Sequence, residues 1–101
     1  LIRAEAYVQS DVFGSAVRFA HTEGIIPAPE SAHAIHGAVL NALAADDEGL
    51  ERTILFNLSG HGHFDMAAYD DYLAGRLEDF ALPEDEIERA LAAIEPLPKP
   101  V

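Results

Sequence analysis

Only one run in these 101 residues, Thr53-Ile54-Leu55-Phe56-Asn57-Leu58, reads as a β-strand. It is short, mostly apolar, rich in strand formers and bounded by turn signals, the pattern of a strand covered on both faces. A lone strand leaves its N–H and C=O groups without partners, so the run implies a sheet whose other strands lie elsewhere. The first residue is Leu1 rather than Met, and amphipathic sequence follows at once. The chain therefore reads as a piece of something longer.

The rest of the pattern is helical. Ser10 or Asp11 suits the cap of a first helix, in which Phe13, Ala16, Val17 and Ala20 recur at helical spacing and Gly24 supplies the stop. Gly24-Ile25-Ile26-Pro27-Ala28-Pro29 is expected to be a loop, because a residue before Pro is pushed toward extended geometry. Pro29 fits the first position of a second helix and Glu30 its positive N-terminus. The apolar stripe of that helix is Ala32, Ile35, Val39, Ala42 and Leu43, and it ends before Asp46. A third helix places Met66, Tyr69, Leu73 and Leu77 on one side. A fourth opens at Leu82, Pro83 and the acidic Glu84-Asp85-Glu86, with Ile87, Ala90, Leu91 and Ile94 inward. Pro96-Leu97-Pro98-Lys99-Pro100 reads as an extended tail. The fold class expected is α/β, about four helices around one buried strand.

Charge and composition exclude several functions. Half the residues are hydrophobic and 24% are charged, which suits a packed, soluble domain. The formal charge of -12 argues against nucleic acid, whose affinity for proteins comes mostly from Lys and Arg on phosphates. Most of that charge lies late: residues 44 to 101 carry a net -10, so the second half is expected to be the more solvated. The absence of Cys removes disulfide scaffolds and thiolate metal sites, and fits a cytoplasmic setting. No apolar run reaches the 18 or so residues a membrane span needs.

In an α/β protein, ligands collect at the carboxyl ends of strands, and Ser59-Gly60-His61-Gly62 occupies that place. Glycines let a backbone approach a flat or anionic ligand, and a Ser hydroxyl both donates and accepts. On spacing alone this is equally a plain structural turn.

Two whole stretches say more. Glu23-Gly24-Ile25-Ile26-Pro27-Ala28-Pro29-Glu30-Ser31-Ala32-His33-Ala34 and Phe56-Asn57-Leu58-Ser59-Gly60-His61-Gly62 closely resemble the C-terminal part of the tryptophan synthase β chain, nearest its second, stand-alone type. The likeness runs from Ala4-Glu5-Ala6-Tyr7 to about Leu77, giving a family-like core over residues 1 to 77 and an acidic helix and Pro-rich tail over 78 to 101. Many β chains have Arg where this chain has His61, followed by a more charged segment than His63-Phe64-Asp65. The resemblance implies a fragment of a fold-type II pyridoxal-phosphate lyase of amino-acid biosynthesis, which joins serine and indole by β-replacement to give tryptophan. It also implies a homodimer of the complete enzyme and a possible α-type subunit. In that family the Ser matching Ser59 hydrogen-bonds the pyridine nitrogen, and the Glu matching Glu30 lies beside the cofactor ring. Gly60, His61 and Gly62 complete the implied cofactor-binding turn. For Glu30 the plainer alternative is an exposed carboxylate stabilised by the helix dipole.

The family's Schiff-base lysine is what the chain lacks. Its sole lysine, Lys99, sits in the Pro-rich tail, and no Gly- and Ser-rich phosphate cup is present. The 101 residues alone are therefore expected to be inactive.

Two rival constellations stand beside this one. His61-x-His63-x-Asp65 resembles the metal motif of metallo-β-lactamase-like hydrolases, but Met66 stands where the last His belongs. His33 and His36, three apart on one helix, offer further imidazoles. These residues are expected to form no native metal centre. Ser59 with His61 as nucleophile and base is weaker, since neighbouring loop positions rarely hold that geometry. A non-catalytic acidic interaction module built on the last helix is the third class, although a solvated face explains the same charge.

Overall fold

Helix α1, Gln9–Glu23, is organised by Val12, Phe13 and Ala16, which bury one face, and by Gly24, whose φ of 71° ends the helix in the left-handed region. Glycine enters that region without the steric cost a side chain incurs. A computed structural model describes residues 2–94 and gives four helices in the order α1, α2 (Pro29–Asp47), α3 (Met66–Leu73) and α4 (Glu84–Ile94). The predicted N-cap of α1 is displaced. Val8 is the N-cap, and Ser10 lies inside the first turn, where Asp79 bonds both its N–H (2.9 Å) and its hydroxyl (2.6 Å). A carboxylate from 69 residues away thus serves an amide that has no partner within the helix.

Helix α2 begins at Pro29, as its fixed φ favours, and lies along α1. Ala32 and Ile35 are buried there, but the stripe fails further on: Ala42 and Leu43 are exposed, while Ala45 beyond them is buried. The core is Val12, Phe13, Ala16, Ala32 and Tyr69, joined at its edge by Ile26, Tyr72 and Leu77. Phe13 meets Tyr69 edge-on at 5.0 Å and stacks on Tyr72 at 5.7 Å, which fastens α3 to α1. On α3 only Tyr69 is buried. Met66 and Leu73 are largely exposed, and Leu77 lies beyond the helix. Among the described residues α4 packs against no other helix, and its intended inner residues Ile87 and Leu91 are exposed. The tail 96–100, Lys99 included, and the Ile94 side chain lie outside the described residues.

The buried strand is not formed. Thr53–Leu58 carries no ladder, Leu55 is 95% exposed, and the described residues contain a single isolated antiparallel bridge, Pro27 to His61. Strand-like composition supplies a preference but no partner, and without a neighbouring strand the ladder bonds have nowhere to go. The described fold is therefore helical, with one bridge, rather than helices around a strand. The second half is the more solvated, as the charge implied: most residues from 44 onward are exposed.

Candidate functional site

That bridge joins the two stretches singled out in the sequence. Ala28 donates its N–H to the Gly60 carbonyl (3.1 Å), and Gly62 donates to the Ile26 carbonyl (2.9 Å). The Gly24–Pro29 loop and the Ser59–Gly62 turn, more than thirty residues apart, thus become one backbone unit at the start of α2.

Tyr69 fixes this unit from the core side. Its hydroxyl donates to the buried Pro27 carbonyl at 2.6 Å, and burial, with the nearby Asp65 charge adding to it, pushes its pKa up to about 12. The same ring helps to explain Gly62, together with the loop it holds. A Cβ there would stand 2.6 Å from the Pro27 oxygen, 2.8 Å from Ile26 Cγ2 and 3.0 Å from Tyr69 Cε2. At Gly60 a Cβ would meet Ala28 Cβ at 3.1 Å. Both glycines are needed for packing against protein, so their smallness is accounted for before any ligand is considered. The Asp65 N–H bonds the Gly62 carbonyl (2.9 Å), and the turn passes directly into α3.

Ser59 is exposed, and its hydroxyl lies 3.1 Å from that of the buried Ser31, in the first turn of α2. Glu30, one residue earlier, is exposed. His61 is exposed as well: its Nδ1 accepts the His63 N–H at 3.3 Å, and its ring lies 5.5 Å from that of Phe64. The structure thus places Ser59, Gly60, His61 and Gly62 on one turn against the start of α2.

The rival constellations are not assembled. Among the described residues no group of three or more His, Asp or Glu is placed to hold a metal ion. His36 bonds Ser15 at 2.8 Å, and His33 stacks on Tyr7. The Ser59 hydroxyl is paired with Ser31 rather than with His61, which leaves the nucleophile and base reading without its hydrogen bond. Sequence reasoning did not single out Ser31 or Tyr69. Ser31 stood within a quoted stretch with nothing to mark it, and Tyr69 read simply as an apolar position on α3.

Comparison with known proteins decides what this unit belongs to. The chain is 62% identical over 78 residues to "Tryptophan synthase beta chain 2" of Methanosarcina mazei, 77% of this chain and 18% of that protein. The protein of the same name from Aquifex aeolicus matches equally, at 62% over 78 residues, with the same shares. The "Tryptophan synthase beta chain" of Thermococcus gammatolerans is 59% identical over 80 residues, 79% of this chain and 18% of that one. Over that segment the chain matches proteins named tryptophan synthase β chain, those of the second type among them. It spans about 18% of the length of these tryptophan synthase relatives, and no family model matches it. Among the described residues no helix is long and apolar enough to cross a membrane.

Proposed function

We propose that this chain is part of a pyridoxal-phosphate-dependent lyase that makes tryptophan from serine and indole, and that it contributes the pyridine side of the cofactor site. The observation that carries the reading is the Pro27–His61 bridge, which brings the two family-like stretches together with the Ser59 hydroxyl on their exposed side. The identity to tryptophan synthase β chains supports it. The donor set fits the group. Ser59 offers a neutral hydroxyl, held by Ser31, to an aromatic nitrogen, while Gly60 and Gly62 are packed on the opposite, protein side.

Bound pyridoxal phosphate supplies an electron sink for chemistry at the β carbon of serine. The chain's own part is to set the strength of that sink. A hydroxyl donating to the ring nitrogen holds it unprotonated, a milder sink than one facing a carboxylate, and this suits replacement at the β carbon over transamination. Glu30, exposed at the start of α2 beside Ser31, would present a carboxylate to the same ligand. His61, the bridge partner of Pro27, is exposed on the same turn as Ser59 and would border the bound ring. The proposal extends to a complete protein that is cytoplasmic and homodimeric and able to take an α-type subunit.

The test uses the complete β chain that carries this segment. Ser59→Ala should weaken cofactor binding by about 0.5–1.5 kcal/mol, the worth of one neutral hydrogen bond. Ser59→Asp should favour a protonated nitrogen and shift products from tryptophan toward pyruvate. Identical cofactor spectra and product ratios in wild type, Ala and Asp would show that Ser59 does not contact the ring.

A further inference from the structure

The Ser31 hydroxyl is buried, and within hydrogen-bonding distance it has one partner among the described residues, Ser59 Oγ at 3.1 Å. A hydroxyl has one hydrogen to give and two lone pairs to accept with, and for a pair of hydroxyls either order is possible in principle. The surroundings decide the order here. Were Ser59 the donor, the Ser31 hydrogen would be buried with no acceptor, the costlier arrangement for a polar group removed from water. Ser59 is exposed and can direct its own hydrogen outward.

We infer that Ser31 is a positioning residue: it donates to Ser59 Oγ and so turns the Ser59 hydrogen away from the protein, toward an unprotonated ring nitrogen. The inference rests on the reading of Ser59 given under Proposed function. Its geometry is reinforced from both sides. Ser31 is held by the first turn of α2, where the Ala32 N–H bonds the Ala28 carbonyl at 3.0 Å, and Ser59 is held by the adjoining bond from Ala28 to Gly60. Ala28 therefore fixes the spacing of the two hydroxyls through its own N–H and C=O. The reverse order would leave Ser59 offering only lone pairs outward, which suits a protonated nitrogen. Ser31 thus selects which protonation state of the ring the site favours.

The experiment loads the complete β chain with pyridoxal phosphate labelled with ¹⁵N in the ring, and reads the nitrogen chemical shift and the cofactor dissociation constant. Ser31→Ala should move the shift away from the unprotonated value and weaken binding about two- to fivefold, less than loss of the Ser59 hydroxyl itself. Ser31→Thr, which keeps the hydroxyl, should restore both, and its isostere Ser31→Val should not, a comparison that holds even where Ser31→Ala fails to fold. The Ser31→Ala, Ser59→Ala double variant should match Ser59→Ala alone. If Ser59→Ala moves both readouts while the Ser31 variants leave them at wild type, or if the two effects add, this inference is overturned and the cofactor role of Ser59 stands. If Ser59→Ala moves neither, the role of Ser59 falls and this inference with it.

Discussion

The Tyr69 hydroxyl donates to the Pro27 carbonyl at 2.6 Å, and Cε2 of the same ring lies 3.0 Å from where a Cβ on residue 62 would stand. One residue of α3 thus packs against both halves of the bridge. Tyr69→Phe keeps the ring and leaves a buried carbonyl unpaired, so the protein should lose about 1–2 kcal/mol in urea denaturation, with the slope unchanged.

The same phenol predicts an alkaline limit. Its folded-state pKa, about 12, lies above the ordinary tyrosine value of 10.0. The stabilisation is therefore complete below about pH 10 and is lost as pH rises toward about 12, because the unfolded chain gives up its proton first. Denaturation followed between pH 9 and 12 should show this decline in wild type. A Tyr69→Phe protein that declines just as steeply would show that other groups are responsible.

At position 62 the space is closed by atoms that cannot yield. The Pro27 oxygen, 2.6 Å from the added Cβ, is itself held by Tyr69, so Gly62→Ala should break the bridge and destabilise by about 1–3 kcal/mol or more. Gly60→Ala meets only the Ala28 methyl at 3.1 Å and should cost less. Amide exchange of Ala28 and Gly62, the two bridge donors, ranks them.

Asp79 should confer acid sensitivity on α1. Hydrogen bonds from the Ser10 hydroxyl and N–H hold its carboxyl below the usual value of 3.8. The stabilisation is present above that ordinary value and fades as pH falls through the lowered one. Asp79→Ala should remove the dependence and speed exchange of the Ser10 amide, and Asp79→Asn, which retains an acceptor oxygen, should lie between.

The 101-residue chain, whose one lysine is Lys99, should not take up pyridoxal phosphate stoichiometrically under borohydride. Mass spectrometry of the reduced protein provides the check. A single fully labelled site would contradict the expectation, whereas slow, partial labelling of Lys99 would not.

Local rules read well where a residue's conformation is set by its own chemistry. Pro29 opens α2 and Gly24 closes α1 with positive φ, as proline's ring and glycine's missing Cβ require. They read poorly where the deciding atom is distant in the chain. Ser10 has the chemistry of a cap, yet the capping group is Asp79, and no spacing rule links residues 69 apart. Thr53–Leu58 has strand composition, but pairing is a property of two segments and the described residues hold only one. At the candidate site the turn itself was legible as Ser-Gly-His-Gly. Its partners Ser31 and Tyr69 were not, because one lies 28 residues upstream and the other's polar end is hidden behind an apolar ring.

The bond from Ser10 to Asp79 also sets an order on the ribosome. A helix forms within about a microsecond once its residues are free, but Asp79 is added some 56 residues after Glu23 completes α1, roughly three to eleven seconds later at about 5–20 residues per second. Throughout that interval the first turn of α1 is exposed to water at its amide end, and its register is provisional. The loop that follows α3 acts as a late clasp, and a pause in translation before the Asp79 codon would prolong the time in which α1 can still fray.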